Sequence, residues 1–257
     1  MNLNDYWLTP NFLQGPLPFN KYRKNLPFFL SLQEKELYKK DLITAPADWH
    51  YRTKEVRYDI NSSDYRAPEW NSIDWKNSIC VFGCSHVFGE GLALDETVCY
   101  QLEQLTGRPV VNFGVTGSSP IFSYHNSLIL DMFYPTPYAV VHAWSHYDRL
   151  PYYTEKMIKR LGPWSGTEWD EYDDDAKDLI YLWNKHQVNP MTWLKFSAYS
   201  SKQMWSQKTK YFEFSYFKPV SDLLNITYAQ AMDHARDFRH FGIKSHQNAA
   251  RIIADQL

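Results

Sequence analysis

Ser78-Ile79-Cys80-Val81-Phe82-Gly83-Cys84-Ser85-His86-Val87-Phe88-Gly89 is the stretch that decides the fold. A short apolar run, Ile79 to Phe82, ends directly in a glycine, which suits a strand buried on both faces and feeding a turn. Downstream, Asp95 reads as a helix N-cap. Val98, Leu102 and Leu105 share one helical face, and Gly107 stands where that helix should stop. Val110-Val111-Asn112-Phe113 makes a second strand. Ser119-Pro120 then supplies an N-cap and an N1 proline for a helix running to about Met132, and Tyr138 to Trp144 makes a third strand. Strands alternating with helices at this spacing predict right-handed βαβ units and a parallel sheet covered on both faces, an α/β architecture of three layers, α/β/α.

Such sheets bind ligands beyond the carboxyl ends of their strands. All three strands end in polar or glycine-rich turns, Gly83-Cys84-Ser85-His86, Gly114-Val115-Thr116-Gly117-Ser118 and Ser145-His146-Tyr147-Asp148, which converge on one edge. Upstream, residues 1–75 show no sustained period. Pro10, Pro16, Pro18, Pro27 and Pro46 break them up, leaving a short helical candidate from Leu32 to Lys40, so this stretch reads as an arm packed on a domain spanning 76–257. From about 150 to 230 the grammar loosens into an insertion. It carries an acidic patch (Glu168, Asp170, Glu171, Asp173, Asp174, Asp175), a helical candidate from Asp178 to His186, and an aromatic run. Tyr211 to Tyr216 alternates as a strand does and belongs either to the sheet as a fourth strand or to the insertion. A final helix over Ser245 to Leu257 carries Ala249, Ile252, Ile253 and Leu257 as its apolar stripe.

Composition narrows the function classes. Lys and Arg total 27 against 29 for Asp and Glu, so no overall basic field exists to hold nucleic acid or an anionic membrane, and neither is expected as a partner. Cys80, Cys84 and Cys99 match neither a metal knuckle nor a disulfide framework, which fits a reducing compartment. Met1 to Asn20 lacks the basic and apolar regions of a signal peptide, and no stretch approaches the ~20 apolar residues of a membrane span, so a cytoplasmic location is expected. Aromatics make up 17% of the chain and crowd between Tyr152 and Phe217, where they serve as the core of the insertion or line a cleft.

A serine hydroxyl is a poor nucleophile at neutral pH. Acyl transfer needs an imidazole to take its proton, a group to orient that imidazole, and donors for the oxyanion. Ser85 sits just past the first strand between Gly83 and Gly89, where a tight turn exposes a hydroxyl. Asp237-Phe238-Arg239-His240 sets a carboxylate three residues before a histidine, a spacing that lets Asp237 fix the His240 tautomer. Asp233 and His234 form a rival pair, out of register with the final helix. His125 and His142 fall inside predicted elements and read as structural, and Cys84 is an alternative nucleophile beside a histidine. A metal set of His86, His146 and Asp148 lacks any zinc-specific spacing, so neither metal nor cofactor is expected.

These segments resemble the ordered blocks of the SGNH/GDSL hydrolase family. Gly83-Cys84-Ser85-His86-Val87-Phe88-Gly89 is similar to its first block, Gly-Asp-Ser with a glycine four residues later, except that Cys84 replaces the aspartate. Asn112-Phe113-Gly114-Val115-Thr116-Gly117 resembles the second block, and Asp237 to His240 the last, with Ser245-His246 and Ala250 following the usual run into the closing helix. The resemblance covers about Ser78 to Met132 and Asp237 to Leu257. It implies a flavodoxin-like fold, Ser85, Asp237 and His240 as catalytic residues, and an oxyanion hole from the N–H groups of Ser85 and Gly117. The third block, Gly-x-Asn-Asp, is altered: aligning Asp148 puts Tyr147 in place of the oxyanion asparagine, with His146 beside it. Tyr147 or His146 is the expected substitute donor, with Tyr147 placed in the oxyanion hole, and His86, Asn112, His146 and Asp148 are expected around the site. The activity implied is hydrolysis of a small-molecule or carbohydrate ester, as esterase or deacetylase. An O-acyltransferase with the same triad and a non-catalytic binding protein on this scaffold are the alternatives.

Overall fold

The computed structural model describes residues 11–13, 23–28, 32–153, 158–163, 174–186 and 188–257. Its strands are β1 Arg23–Pro27, β2 Arg57–Ile60, β3 Ile79–Gly83, β4 Val110–Gly114, β5 Ala139–Ala143, β6 Leu150–Tyr153, β7 Ile158–Leu161, β8 Lys210–Ser215 and β9 Thr227–Tyr228. The α-helices are α1 Leu32–Thr44, α2 Ser85–Phe88, α3 Val98–Thr106, α4 Pro120–Phe133, α5 Asp174–Lys185, α6 Val188–Trp205, α7 Lys218–Leu224 and α8 Ile243–Ala254.

Five strands form one parallel sheet in the order β4-β3-β5-β8-β9. Numbered within the sheet this is 2-1-3-4-5, the flavodoxin-like order, whose switch point lies between the first and third strands. All five residues of β3 are buried, and their alternation splits them between two cores. Ile79 and Val81 pack with Val98, Leu102, Ala249 and Ile253, under α3 and α8. Cys80 and Phe82 pack with Phe113, Phe122, Ile129, Leu130 and Trp205, under α4 and α6. Period two in the strand thus becomes three layers.

Helix α3 is capped not by Asp95 but by Thr97, whose hydroxyl accepts the Tyr100 N–H at 3.3 Å. Asp95 lies in a 3₁₀ turn, Leu94–Glu96, that precedes the helix and displaces its start by two residues. The alternating run near Tyr211 is β8, paired with β5, so the 150–230 stretch contributes two strands to the central sheet. Its aromatic run is divided mainly between α6, with Trp193, Phe196, Tyr199 and Trp205, and β8 with the residues just after it. Trp205 and Leu194 face inward, while Trp193, Phe196 and Tyr199 stay exposed. Of the acidic patch, Glu168, Asp170, Glu171 and Asp173 lie outside the described residues, as do Pro10, Pro16 and Pro18 of the arm. No described helix is long and apolar enough to cross a membrane.

The arm reaches the loop after α2. Strands β1 and β2 pair antiparallel, and Tyr58 and Ile60 pack with Phe88 and Leu92. Arg66, almost wholly buried, donates to the carbonyls of Phe88 (3.2 Å), Gly89 (2.9 Å) and Leu92 (3.0 Å). Phe12 wedges among Trp70, Phe113 and Tyr134, with ring centroids 4.7 to 5.0 Å apart.

Candidate active site

Strand β3 ends at Gly83, and Ser85 opens the single turn of α2 at the carboxyl edge of the sheet. Asn112 on β4 braces that turn. Its amide donates to the Val87 carbonyl at 3.0 Å and its oxygen accepts the Gly114 N–H at 2.8 Å. Gly114 is required by close approach, since a Cβ there would lie 2.1 Å from Phe88 N and 2.6 Å from Val87 C. The turn therefore rests directly on the backbone of the neighbouring strand.

His240 arrives on a hairpin ahead of α8. His234 and Phe241 form an antiparallel bridge, and the Ala235 N–H donates to the His240 carbonyl at 2.9 Å. Asp233 holds the base of this hairpin. Its carboxylate accepts the backbone N–H groups of Lys244 and Ser245 at 3.0 Å each and the Ser245 hydroxyl at 2.9 Å, serving as an external cap for α8. At the tip, Asp237 accepts the backbone N–H groups of Arg239 (3.1 Å) and His240 (2.9 Å) through one oxygen, and its other oxygen bonds His240 Nδ1. His240 Nε2 lies 2.8 Å from Ser85 Oγ. Ser85, His240 and Asp237, distant in sequence, are thus in one hydrogen-bonded line. Asp233 caps a helix, and its neighbour His234 stacks on Phe238.

Electrostatics follow from burial and neighbours. Burial pushes the Asp237 carboxyl up, but His240 and the two backbone N–H groups outweigh it and hold it below its usual value. Burial alone would pull the His240 imidazole down. The carboxylates of Glu90 and Asp237 more than offset this and raise it to about 9. Glu90, which the sequence reading passed over, has Oε2 3.6 Å from His240 Nε2. Only its place in the Gly89-Glu90-Gly91 turn after the serine block hinted at it.

The remaining expected residues are distributed as follows. The N–H groups of Ser85 and Gly117 donate to no protein acceptor among the described residues, and Gly117 takes a left-handed φ of 69°. The loop around Gly117 is tied down through its carbonyls and a hydroxyl. Ser118 Oγ donates to the Gly83 carbonyl at 3.0 Å, and Arg160 donates to the Thr116 carbonyl at 2.5 Å. Tyr147 packs its ring against the cluster of Trp144, Leu194, Ala198 and Val220. His146 stacks on Tyr147, and its Nδ1 lies 2.9 Å from Asp148 Oδ1, off the line of a hydrogen bond. His86 is buried and stacks on Phe241 at 4.4 Å; burial, with the nearby charges of His240 and Arg149, keeps it neutral. His142 is stacked between Phe82 and Trp144 inside the sheet.

Among the described residues one trio of ligand-type side chains, Glu90, Asp237 and His240, lies within 4.8 Å. Its histidine is already engaged on both ring nitrogens, by Asp237 and by Ser85. His86, His146 and Asp148 form no such group.

No family model and no curated protein matches the chain. Among solved structures it is similar to a G-D-S-L family protein from Desulfitobacterium hafniense, at 10% identity and a TM-score of 0.44, over 71% of this chain and 100% of that one. It is similar to an acetyl xylan esterase from the rumen bacterium Butyrivibrio proteoclasticus at 10% identity and a TM-score of 0.44, over 72% of this chain and 64% of that one. A member of the lipolytic protein G-D-S-L family from Veillonella parvula is similar at 11% identity and a TM-score of 0.39, over 68% and 94%.

Proposed function

We propose that this protein is a serine hydrolase of the SGNH/GDSL type that cleaves carboxylic esters through an acyl-enzyme on Ser85. The observation that carries the reading is the line Ser85 Oγ, His240 Nε2, His240 Nδ1, Asp237, with 2.8 Å between the hydroxyl and the ring nitrogen. A nucleophile within hydrogen-bond reach of a base, itself oriented by a carboxylate, is the geometry this chemistry needs.

In the neutral imidazole Nδ1–H donates to Asp237, leaving the Nε2 lone pair for the Ser85 proton. As Oγ attacks the acyl carbon, that proton passes to Nε2, and the carbonyl oxygen takes the negative charge. The N–H groups of Ser85 and Gly117 are the donors for this oxyanion, each worth roughly 10²–10³ in turnover in such sites. The imidazolium then protonates the departing alcohol. Water, losing a proton to the same Nε2, attacks the acyl-enzyme, and the carboxylic acid leaves with Ser85 restored.

Ser85→Ala tests the reading. Wild type should release p-nitrophenol from p-nitrophenyl acetate and take up a fluorophosphonate label, and the variant should do neither. Undiminished release by Ser85→Ala, or a wild type that never labels, would overturn the assignment.

A further inference from the structure

We propose that Glu90 is a positioning residue of the Ser85 site: its carboxylate competes with Ser85 Oγ for the Nε2 proton of His240, stabilises the imidazolium and confines Ser85 chemistry to alkaline conditions. The inference rests on the hydrolase reading above and adds a pH gate to it.

The geometry is a ring held between two carboxylates. Asp237 occupies the Nδ1 side. On the other side Nε2 faces two oxygens, Ser85 Oγ at 2.8 Å and Glu90 Oε2 at 3.6 Å. A single carboxylate behind Nδ1 orients the ring and leaves Nε2 free to accept, whereas a second one in front of Nε2 rewards the doubly protonated form. The other titratable groups around the ring do little to oppose this. His86, with its centroid 5.0 Å away, is kept neutral by burial, as is His246 beneath it on α8, and Cys84 adjoins Ser85 in the turn. On the arm side Asp41 lies 3.8 Å from Arg239, so that guanidinium has a carboxylate of its own.

Glu90 is also held in place by built structure. The Gly91 N–H donates to the Tyr58 hydroxyl at 2.8 Å, and Arg66 clamps the carbonyls of Gly89 and Leu92 on either side. Across the gap, the Arg236 N–H donates to the Gly91 carbonyl at 3.2 Å, tying the Glu90 loop to the His240 hairpin. The arm, through Tyr58 and Arg66, thus sets how far Glu90 stands from the imidazole.

Two measurements on the intact chain test this. The first is an NMR titration of the His240 ring in wild type, Glu90→Gln and Glu90→Asp. In wild type the imidazolium should persist above pH 8, toward the value near 9 set by the two carboxylates. Glu90→Gln should lower its midpoint by about one to two pH units, and Glu90→Asp should restore part of that. The second is the rate of fluorophosphonate labelling of Ser85 against pH, whose rising limb should move by the same amount while the alkaline plateau stays within about threefold.

A wild-type His240 that titrates near pH 6.5 would overturn the proposal without recourse to any variant. So would a Glu90→Gln protein that labels more slowly at every pH with its limb unmoved, the result a purely structural role predicts. No labelling at any pH, together with a His240 titration that still follows Glu90, would refute the hydrolase reading while upholding the carboxylate's hold on the ring.

Discussion

Gly114→Ala offers a sharp test of how the serine turn is held. The added methyl would lie 2.1 Å from Phe88 N, 2.6 Å from Val87 C and 2.8 Å from Phe88 Cα, about 1.3 Å inside ordinary contact at its closest point. These are backbone atoms of α2, so no side-chain rotation relieves the clash, and the turn must lift off β4 by about 1 Å. Lifting it strains the bonds from Asn112 to Val87 and to Gly114 itself. The cost should be at least the 1–3 kcal/mol typical of overpacking, at the high end because backbone must move. Ser85 travels with the turn, and on the proposed hydrolase reading an error of about 1 Å in its distance to His240 should slow its reaction with a fluorophosphonate roughly 10²-fold. Urea denaturation gives the first quantity and the fluorophosphonate labelling rate the second. Gly107→Ala is the control. Its methyl meets nothing within 4 Å, so it should cost only the ~1 kcal/mol of a left-handed backbone and leave labelling unchanged. A Gly114→Ala protein with wild-type midpoint and wild-type labelling would refute the claim that β4 positions the Ser85 turn.

Asp233→Ala removes the acceptor of three hydrogen bonds at the start of α8 and should cost about 1–2 kcal/mol in urea, with slower Ser85 labelling because the His240 hairpin loses its base; a stable variant with unchanged labelling would contradict this. Acid should destabilise the protein through its buried neutral histidines. Burial lowers His142 and His246 to about 3 in the fold, against the ordinary 6.5 in the unfolded chain. Their contribution is therefore complete above about 6.5 and is lost as the pH falls toward 3, each costing about 2 kcal/mol by pH 5. Equal urea midpoints at pH 7 and pH 5 would rule this out. His142→Phe should raise the midpoint at pH 5 more than at pH 7, because neither ring nitrogen of His142 has a partner among the described residues and the stacking with Phe82 and Trp144 is kept.

The sheet was legible from sequence because parallel strands buried on both faces read as short apolar runs, and Ile79–Gly83, Val110–Gly114 and Ala139–Ala143 each do. Helix starts were less so. Thr97 took the capping role expected of Asp95 because a 3₁₀ turn intervened, and both residues are good caps by type. Helix α6 was hidden because its exposed face carries Trp193, Phe196 and Tyr199, which blurs the contrast on which helical periodicity depends.

Sequence alone was enough to nominate Ser85, Asp237 and His240, since residue type, local spacing and strand ends are all local properties. Whether a hydroxyl meets a ring nitrogen 155 positions away is not local, and only the packed hairpin and sheet edge decide it. The same holds for Glu90 and the arm. Nothing in the order of residues says that Tyr58 and Arg66 clamp the Gly89–Leu92 loop, or that a second carboxylate therefore faces the imidazole. Charge at an active site depends on distances of a few ångströms and on exclusion of water, and both come into being only when the chain has folded.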